Sequence, residues 1–249
     1  MKISIITITF NSADTVEETI KSVLAQDYPE LEYIIVDGLS TDNTMEIVKK
    51  YSDKIDTIIS EKDKGLYDAL NKGIKASTGD IIGILHSDDI YNGNDVISGV
   101  AKHFTLWKCD AVYANLLFVE RNDINKIKRV WRSGSYYDGA FRRGWMPPHP
   151  TFFVYKKYFE TIGYYRTDLR FSGDYELMLR FIHKNKLKIS YYDNFIIKMR
   201  MGGISNTNFW HKWLAHKEDV KAWKYNQIVA STFWLWLKPI SKILQYIKR

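Results

Sequence analysis

Asp88 and Asp89 stand side by side at the end of an apolar run, Ile81-Ile82-Gly83-Ile84-Leu85-His86-Ser87. Two adjacent carboxylates are costly there unless positive charge sits between or beside them. A divalent cation carrying a phosphorylated ligand answers that need, because Mg²⁺ and Mn²⁺ prefer oxygen donors. The same pair also reads as helix-capping acid, since Asn92, Asn94 and Asp95 follow and a helix begins near them.

The run that carries the pair holds three β-branched isoleucines and a leucine, which predicts a strand buried on both faces, as in a parallel sheet. Such a strand delivers its last residues to the carboxyl edge, where open α/β folds bind ligands. Upstream, Lys2 to Phe10, Leu31 to Asp37 and Thr57 to Glu61 read as further strands. Helical spacing recurs between them. Val16, Ile20, Val23 and Leu24 follow an Asp14-x-x-Glu17 capping box. Met45, Val48 and Tyr51 follow a Ser40-Thr41-Asp42 cap, and Leu66, Leu70 and Ile74 mark a third helix. The order β-α-β-α-β-α-β predicts a parallel, doubly wound sheet with right-handed crossovers. Its strand ends, Asn11, Asp37, Glu61 and Asp88, converge on one crevice. Further on, the sequence predicts a helix over 96–104, strands over 111–119 and 126–132, and a Gly- and aromatic-rich loop over 133–150. A short helix over 156–162 and a longer one over 174–185 come next, then one or two strands over 186–201.

Composition narrows the class. With 249 residues, 45% hydrophobic and 26% charged, the chain can bury a substantial core and is not disordered. Its one cysteine, Cys109, excludes an internal disulfide and fits a reducing cytosol. Ile3 to Phe10 is broken by Ser4, Thr7 and Thr9 and does not read as a secretory signal. No segment supplies the ~20 apolar residues needed to span a bilayer. The net charge of +7 is concentrated in residues 208–249, which hold eight Lys/Arg against Glu218 and Asp219 alone. The nearly neutral remainder argues against a general nucleic-acid binder.

Five motifs occur in order: Thr7-x-Thr9-Phe10-Asn11; Val36-Asp37-Gly38-x-Ser40-Thr41-Asp42-x-Thr44; Asp63-Lys64-Gly65-x-Tyr67-Asp68-Ala69-x-Asn71-Lys72-Gly73; His86-Ser87-Asp88-Asp89; and Gly173-Asp174-Tyr175-Glu176-Leu177. Together they resemble the family 2 inverting glycosyltransferases over residues 2 to 205. The resemblance implies a GT-A fold, a Rossmann-like, doubly wound, mostly parallel α/β sheet, over residues 1–205. It implies a nucleotide-diphosphate sugar donor, UDP-linked by preference, and Mn²⁺ or Mg²⁺ as cofactor. Residues 206–249 then form a basic, Trp-rich, amphipathic helical extension.

Carried onto this sequence, the resemblance gives Thr9, Phe10 and Asn11 to the nucleoside pocket and Asp37 to the uracil ring or a ribose hydroxyl. Lys64 and Gly65, before a helix, meet phosphate, where backbone N–H groups and the helix dipole favour an anion. Asn71 and Ser87 face the ligand. Asp88 anchors metal and diphosphate, and Asp89 supports the metal through water or holds the sugar. His86 stands where the family has its first metal-site aspartate, and an imidazole ligand there would tilt the choice toward Mn²⁺. Asp174 is the catalytic base that takes a proton from the acceptor hydroxyl, although Gly173 replaces the acidic neighbour usual in the family. Trp145 and His149 contact acceptor or diphosphate, and Arg200 to Ser205 form a lid hinged at Gly202-Gly203.

Each position also has a plain structural reading: core aromatic for Phe10, turn residue for Asp37, helix cap for Asp42 and Asp174, surface lysine for Lys64, solvated face for Asn71, structural histidine for His149. Five of the eight tryptophans lie in the tail, interleaved with lysine, which suits an anionic membrane surface. The expectation is a cytoplasmic enzyme, peripheral on the inner face of the membrane, acting on a glycan or lipid-linked oligosaccharide acceptor. A tail packed back on the catalytic domain, or pairing two subunits, is the alternative. Two other functions stay open: a catalytically inactive nucleotide-sugar-binding or scaffold protein, and a sugar nucleotidyltransferase. The latter needs a Gly-rich basic loop after the first strand, where this chain has Asn11-Ser12-Ala13-Asp14.

Overall fold

The computed structural model describes residues 1–202 and 209–229. Strands β1 (Ile3–Thr9), β2 (Leu31–Asp37), β3 (Thr57–Ser60) and β4 (Ile81–Ile84) alternate with helices α1 (Val16–Leu24), α2 (Thr44–Lys49) and α3 (Leu66–Ala76). These four strands are parallel, with Thr9 opposite Asp37 and Ile6 opposite Ile84. Then follow β5 (Asp89–Tyr91), α4 (Val96–Trp107), β6 (Ala111–Glu120), β7 (Asp123–Trp131), β8 (Phe153–Tyr155), α5 (Lys157–Ile162), α6 (Gly173–Met178), β9 (Ile189–Arg200) and α7 (Phe209–Tyr225). One sheet runs β3-β2-β1-β4-β8-β6-β9-β5, with β7 hydrogen-bonded to β6. β8 is antiparallel to β4 and β6, whereas β6 and β9 are parallel.

The alternation of side chains along each strand divides the core in two. Ile6, Ile8, Ile34, Val36, Ile82 and Ile84 pack on one side with α3 and α6. Ile3, Ile5, Tyr33, Ile35 and Ile81 pack on the other with α1 and α4. Gly83 lies where β4 meets β8: a Cβ there would stand 2.4 Å from the Phe153 ring, so only glycine admits that ring.

Several local expectations give way to tertiary contacts. The strand through Asp89 stops at Ile84. Leu85 still donates to the Ile6 carbonyl, and the chain then turns, closed by Asp89 N–H to His86 C=O at 3.0 Å. It resumes as β5 on the far edge of the sheet, antiparallel to β9. The Asp14-x-x-Glu17 capping box does not form: α1 is capped at Thr15 without a side-chain bond. Glu17 instead accepts from the Tyr51 hydroxyl at 2.7 Å and pairs with Lys21. The helix over 174–185 is α-helical only to Met178 and widens into a π-helix over Leu179–Lys184. There Arg180 reaches back to the carboxylate of Glu176 and to three carbonyls of residues 162–164.

The first part of the tail packs on the rest of the fold. On α7, Ala222 and Trp223 are fully buried, and the Trp223 indole donates to the Tyr175 hydroxyl at 3.0 Å. Glu218 accepts three backbone N–H bonds from residues 170–172, and Asn226 donates to Glu176. Trp234, Trp236 and the basic residues from Lys238 onward, on which the membrane expectation rests most, lie outside the described residues. So do residues 203–205 of the expected lid. No helix among the described residues is long and apolar enough to cross a membrane.

At the opposite edge from the strand ends, Glu32 braces the sheet. It accepts from Ser4 at 2.5 Å, the Thr78 backbone at 2.8 Å, the Thr78 hydroxyl, and Lys2 at 3.0 Å. Burial alone would raise its pKa, but these hydrogen bonds outweigh it and hold the carboxyl at about 2. Its stabilising contribution is therefore complete above the ordinary 4.5 and disappears as pH falls through about 2. Glu32→Gln should cost on the order of 2 kcal/mol at pH 7. In urea unfolding, the gap from the parent protein should narrow between pH 4.5 and pH 2.5.

Candidate active site

The carboxyl ends of β1, β2 and β4 meet as expected, but their carboxylates take different parts. Asp37 is fully buried at the end of β2. It accepts the Ser40 N–H at 3.1 Å, the Ser40 hydroxyl at 2.5 Å and the Ser60 hydroxyl at 2.8 Å. With roughly four acceptor positions on a carboxylate, about one is left for a ligand. Asn11 has a left-handed backbone (φ 50°). Its side chain accepts the Thr41 N–H at 2.8 Å, and its own N–H donates to Ser40. Asn11 thus latches the end of β1 to the turn after β2 through its backbone N–H and Oδ1, and the residue is exposed there. Asp42 closes a turn onto Thr44, and the cap of α2 falls on Asn43.

Phe10 is 59% exposed, which removes its reading as a core aromatic. Its ring flanks Gly38, and the Asp63 carboxylate flanks the same glycine: a Cβ at position 38 would lie 2.4 Å from Asp63 Oδ2 and 3.4 Å from the Phe10 ring. Thr9, beside Asp37, keeps its hydroxyl oxygen enclosed and unpartnered. An exposed aromatic face, a bare glycine and nearby hydroxyl and carboxylate groups can receive a flat heterocycle with polar edges. Asp63 was missed as a site residue, although it opens one of the five motifs. It also accepts the Gly65 N–H at 2.8 Å, while Asp68 takes the Lys64 N–H at 3.0 Å. The Lys64 side chain is exposed.

Asp88 and Asp89 part company at the turn. Asp88 is half-buried, and no described group donates to its carboxylate. Its carbonyl is held by Arg200 at 2.9 Å, and Arg200 also pairs with Glu18. Asp89 is fully buried with neither carboxylate oxygen bonded. Burial first, then the neighbouring Asp88, pushes its pKa well above the ordinary 3.8, and Arg200 opposes this only in part. Asp89 therefore does not reach a metal or a sugar: it opens β5 with its side chain fully buried, whereas Asp88 lies in the turn before that strand. Ser87 shares a 2.8 Å hydroxyl contact with Ser12.

From His86 a continuous series of ring and hydrogen-bond contacts runs to Asp174. The His86 ring lies 5.8 Å from His149. His149 Nε2 lies 2.7 Å from the Tyr165 hydroxyl. Tyr165 stacks on Tyr67 at 5.7 Å, and the Tyr67 hydroxyl donates to Asp174 Oδ1 at 3.3 Å. Burial lowers the pKa of His86 against the pull of Asp88. Burial, reinforced by His86, takes His149 down to about 3, so it is neutral and offers no charge to a diphosphate. Asn71 is likewise not aimed at a ligand: its amide donates to the Tyr165 carbonyl at 2.8 Å and accepts the Tyr165 N–H at 3.0 Å. Trp145 is half-buried, packs on Tyr113, Tyr136 and Phe141, and donates to the Ser133 carbonyl at 2.8 Å.

Among the described residues no three carboxylate, imidazole or thiol groups form a metal cage. One unbonded carboxylate, Asp88, with a neutral imidazole two residues before it, fits a cation shared with a diphosphate and water. It does not fit one held by protein alone.

A family model described as glycosyl transferase family 2 matches residues 4–163. An uncharacterized glycosyltransferase of Mycobacterium tuberculosis is 32% identical over 186 residues, 72% of this chain and 68% of that one. The crystal structure of S. aureus TarS 1-349 in complex with UDP-GlcNAc matches with a TM-score of 0.66 and 18% identity, over 99% of this chain and 79% of that chain. A mannosyltransferase from Pyrobaculum calidifontis, in complex with GDP-Man and Mn²⁺, matches with a TM-score of 0.65 and 20% identity, over 99% and 69%. At these identities the two solved structures bear on the fold alone.

The contrast between the paired aspartates can be measured directly. Asp89→Asn keeps the shape and removes the need to hold a proton in an apolar interior. It should raise the urea midpoint at pH 8, whereas Asp88→Asn should leave stability within about 0.5 kcal/mol.

Proposed function

The chain belongs to glycosyl transferase family 2 and is a glycosyltransferase of GT-A fold, and on that premise we propose that it moves a sugar, with inversion, from a UDP-sugar to a hydroxyl of a glycan or lipid-linked acceptor. The observation that carries this reading is the series of contacts from His86, beside Asp88, to Asp174 through His149, Tyr165 and Tyr67. It supports a crevice with a diphosphate anchor at one end and a base at the other. The nucleotide-sugar complexes of the two solved neighbours support a nucleotide-diphosphate donor.

In this reading the nucleoside rests on Phe10 and Gly38, with Asp63 offering hydrogen bonds to its polar edges, while the enclosed Asp37 beside Thr9 holds the turn after β2 through Ser40. Asp174 accepts the proton of the acceptor hydroxyl as that oxygen bonds the anomeric carbon and the bond to the diphosphate breaks. Attack from the side opposite the leaving group inverts the configuration, through a transition state of oxocarbenium character. Asp88 would hold a divalent cation together with the diphosphate, and that cation would supply charge neutralisation for the leaving group; the Mn²⁺ in the Pyrobaculum calidifontis neighbour supports its use. His86 and His149, both held neutral by burial, continue that series beside Asp88 without adding charge. The basic tail with its tryptophans supports work at the cytoplasmic face of a membrane on a lipid-linked acceptor.

Thermal-shift titration of nucleotides with and without Mn²⁺ tests the donor site. UDP with Mn²⁺ at about 100 times its Kd should stabilise the protein by about 2.7 kcal/mol, and Asp88→Asn should abolish most of the shift. Asp174→Asn should keep UDP affinity within about twofold and lose transfer by about 10²- to 10⁴-fold, as removal of a general base does. A variant that binds UDP and transfers at the parent rate removes Asp174 as base.

A further inference from the structure

Gly173, which precedes Asp174, is not in a left-handed conformation. Its lack of a side chain answers a different demand. A Cβ at position 173 would lie 2.7 Å from Cε2 and Cζ of Tyr67 and 2.8 Å from Cδ2. The Tyr67 ring therefore lies flat against the backbone just before the proposed base. Its other neighbour is Tyr165, stacked at 5.7 Å with 14° between the planes. Tyr165 is itself fixed at both backbone groups by Asn71 and at its hydroxyl by His149. With 6% of its surface exposed, Tyr67 has little freedom to swing away.

We propose that Tyr67 is a positioning residue for Asp174, set by the bare backbone of Gly173 and the stacked Tyr165 so that its hydroxyl holds and orients the carboxylate. The proposal rests on the reading of Asp174 as base. The phenol Oη lies 3.3 Å from Asp174 Oδ1, and the Tyr175 N–H donates to the same oxygen at 2.8 Å. Two donors on one oxygen restrict the carboxylate's rotation, and catalytic hydrogen bonds that are long without substrate commonly tighten in the complex. Burial first, then the Asp174 charge, pushes the Tyr67 phenol well above its ordinary 10, so it stays a donor at working pH. A donor to the ionised form of a carboxylate favours that form.

Among the described residues, several other titratable groups stand near this corner. Tyr165 couples to Asp174, and burial, then that charge, keeps its phenol protonated. Glu176 and Arg180, on the same helical segment, are paired to each other. From α7, Glu218 is bonded to residues 170–172 and Asp219 couples to the Tyr175 hydroxyl.

The test is the pH profile of kcat/KM for transfer by the full chain, with UDP affinity measured in parallel. Tyr67→Phe should shift the acid limb up by about one pH unit, which is about a tenfold loss on that limb. At the high-pH plateau it should stay within about threefold of the parent, with UDP affinity unchanged. Gly173→Ala, which displaces the ring while keeping the hydroxyl, should shift the limb in the same direction, and it carries the test if Tyr67→Phe does not fold. A Tyr67→Phe profile that overlays the parent, or a loss equal at every pH, overturns the positioning role while leaving Asp174 as base. Parent-like transfer by Asp174→Asn overturns both.

Discussion

A strand whose side chains are apolar on both faces has to be covered on both. β1, β2 and β4 each place isoleucine, valine or tyrosine alternately above and below the sheet. One set is covered by α3 and α6, the other by α1 and α4. Covering parallel strands on two sides requires crossover helices, and crossovers return every strand in the same direction. The polar residues that end those strands are then brought to a common edge. The crevice is a consequence of where the apolar surface goes, and Gly83 marks the tolerance: Phe153 packs so close to β4 that a methyl group would block it.

At that edge, burial sorts residues that look alike. Asp37, Asp88 and Asp89 each sit at or just past an apolar run. Asp37 survives full burial because two serines and a backbone N–H satisfy it. Asp89 is buried without such partners, and burial pushes its pKa well above the ordinary 3.8, since an isolated carboxylate in the interior is far costlier than a carboxylic acid. Asp88, one residue earlier in the turn, is half-buried, and no described group donates to its carboxylate. The turn after Leu85 makes the distinction, because it re-aims the chain toward β9 and sets which aspartate looks inward.

The second half of the chain supplies the far wall by packing aromatic rings. Tyr67, Tyr165, His149 and His86 touch in series, although they come from α3, the loop after α5, the turn before β8 and the turn after β4. Asn71 fixes Tyr165, and Glu218 of α7 fixes the backbone before α6, so elements distant in sequence determine where Asp174 stands. The same contacts explain why Trp223 of the tail is a core residue: it completes the aromatic layer behind Tyr175 and His183.

The sequence by itself determined the alternation of strand and helix, the sharing of one edge by Thr9, Asp37 and Asp88, the five motifs of the family, and Asp174 at the start of a helix. These depend on local pattern: period-two and period-3.6 hydrophobicity and turn residues act over a few positions. Only the tertiary structure decided that Phe10 is exposed, that Asn11 and Asn71 bond the backbone, that Glu17 leaves its capping box for Tyr51, and that Asp89 faces inward. It alone joined Tyr67 to Asp174 and Asp63 to Gly38. Each of those outcomes hangs on a partner from another element, brought near only by the folded sheet. A side chain with two plausible bonds takes the one that tertiary packing leaves within reach.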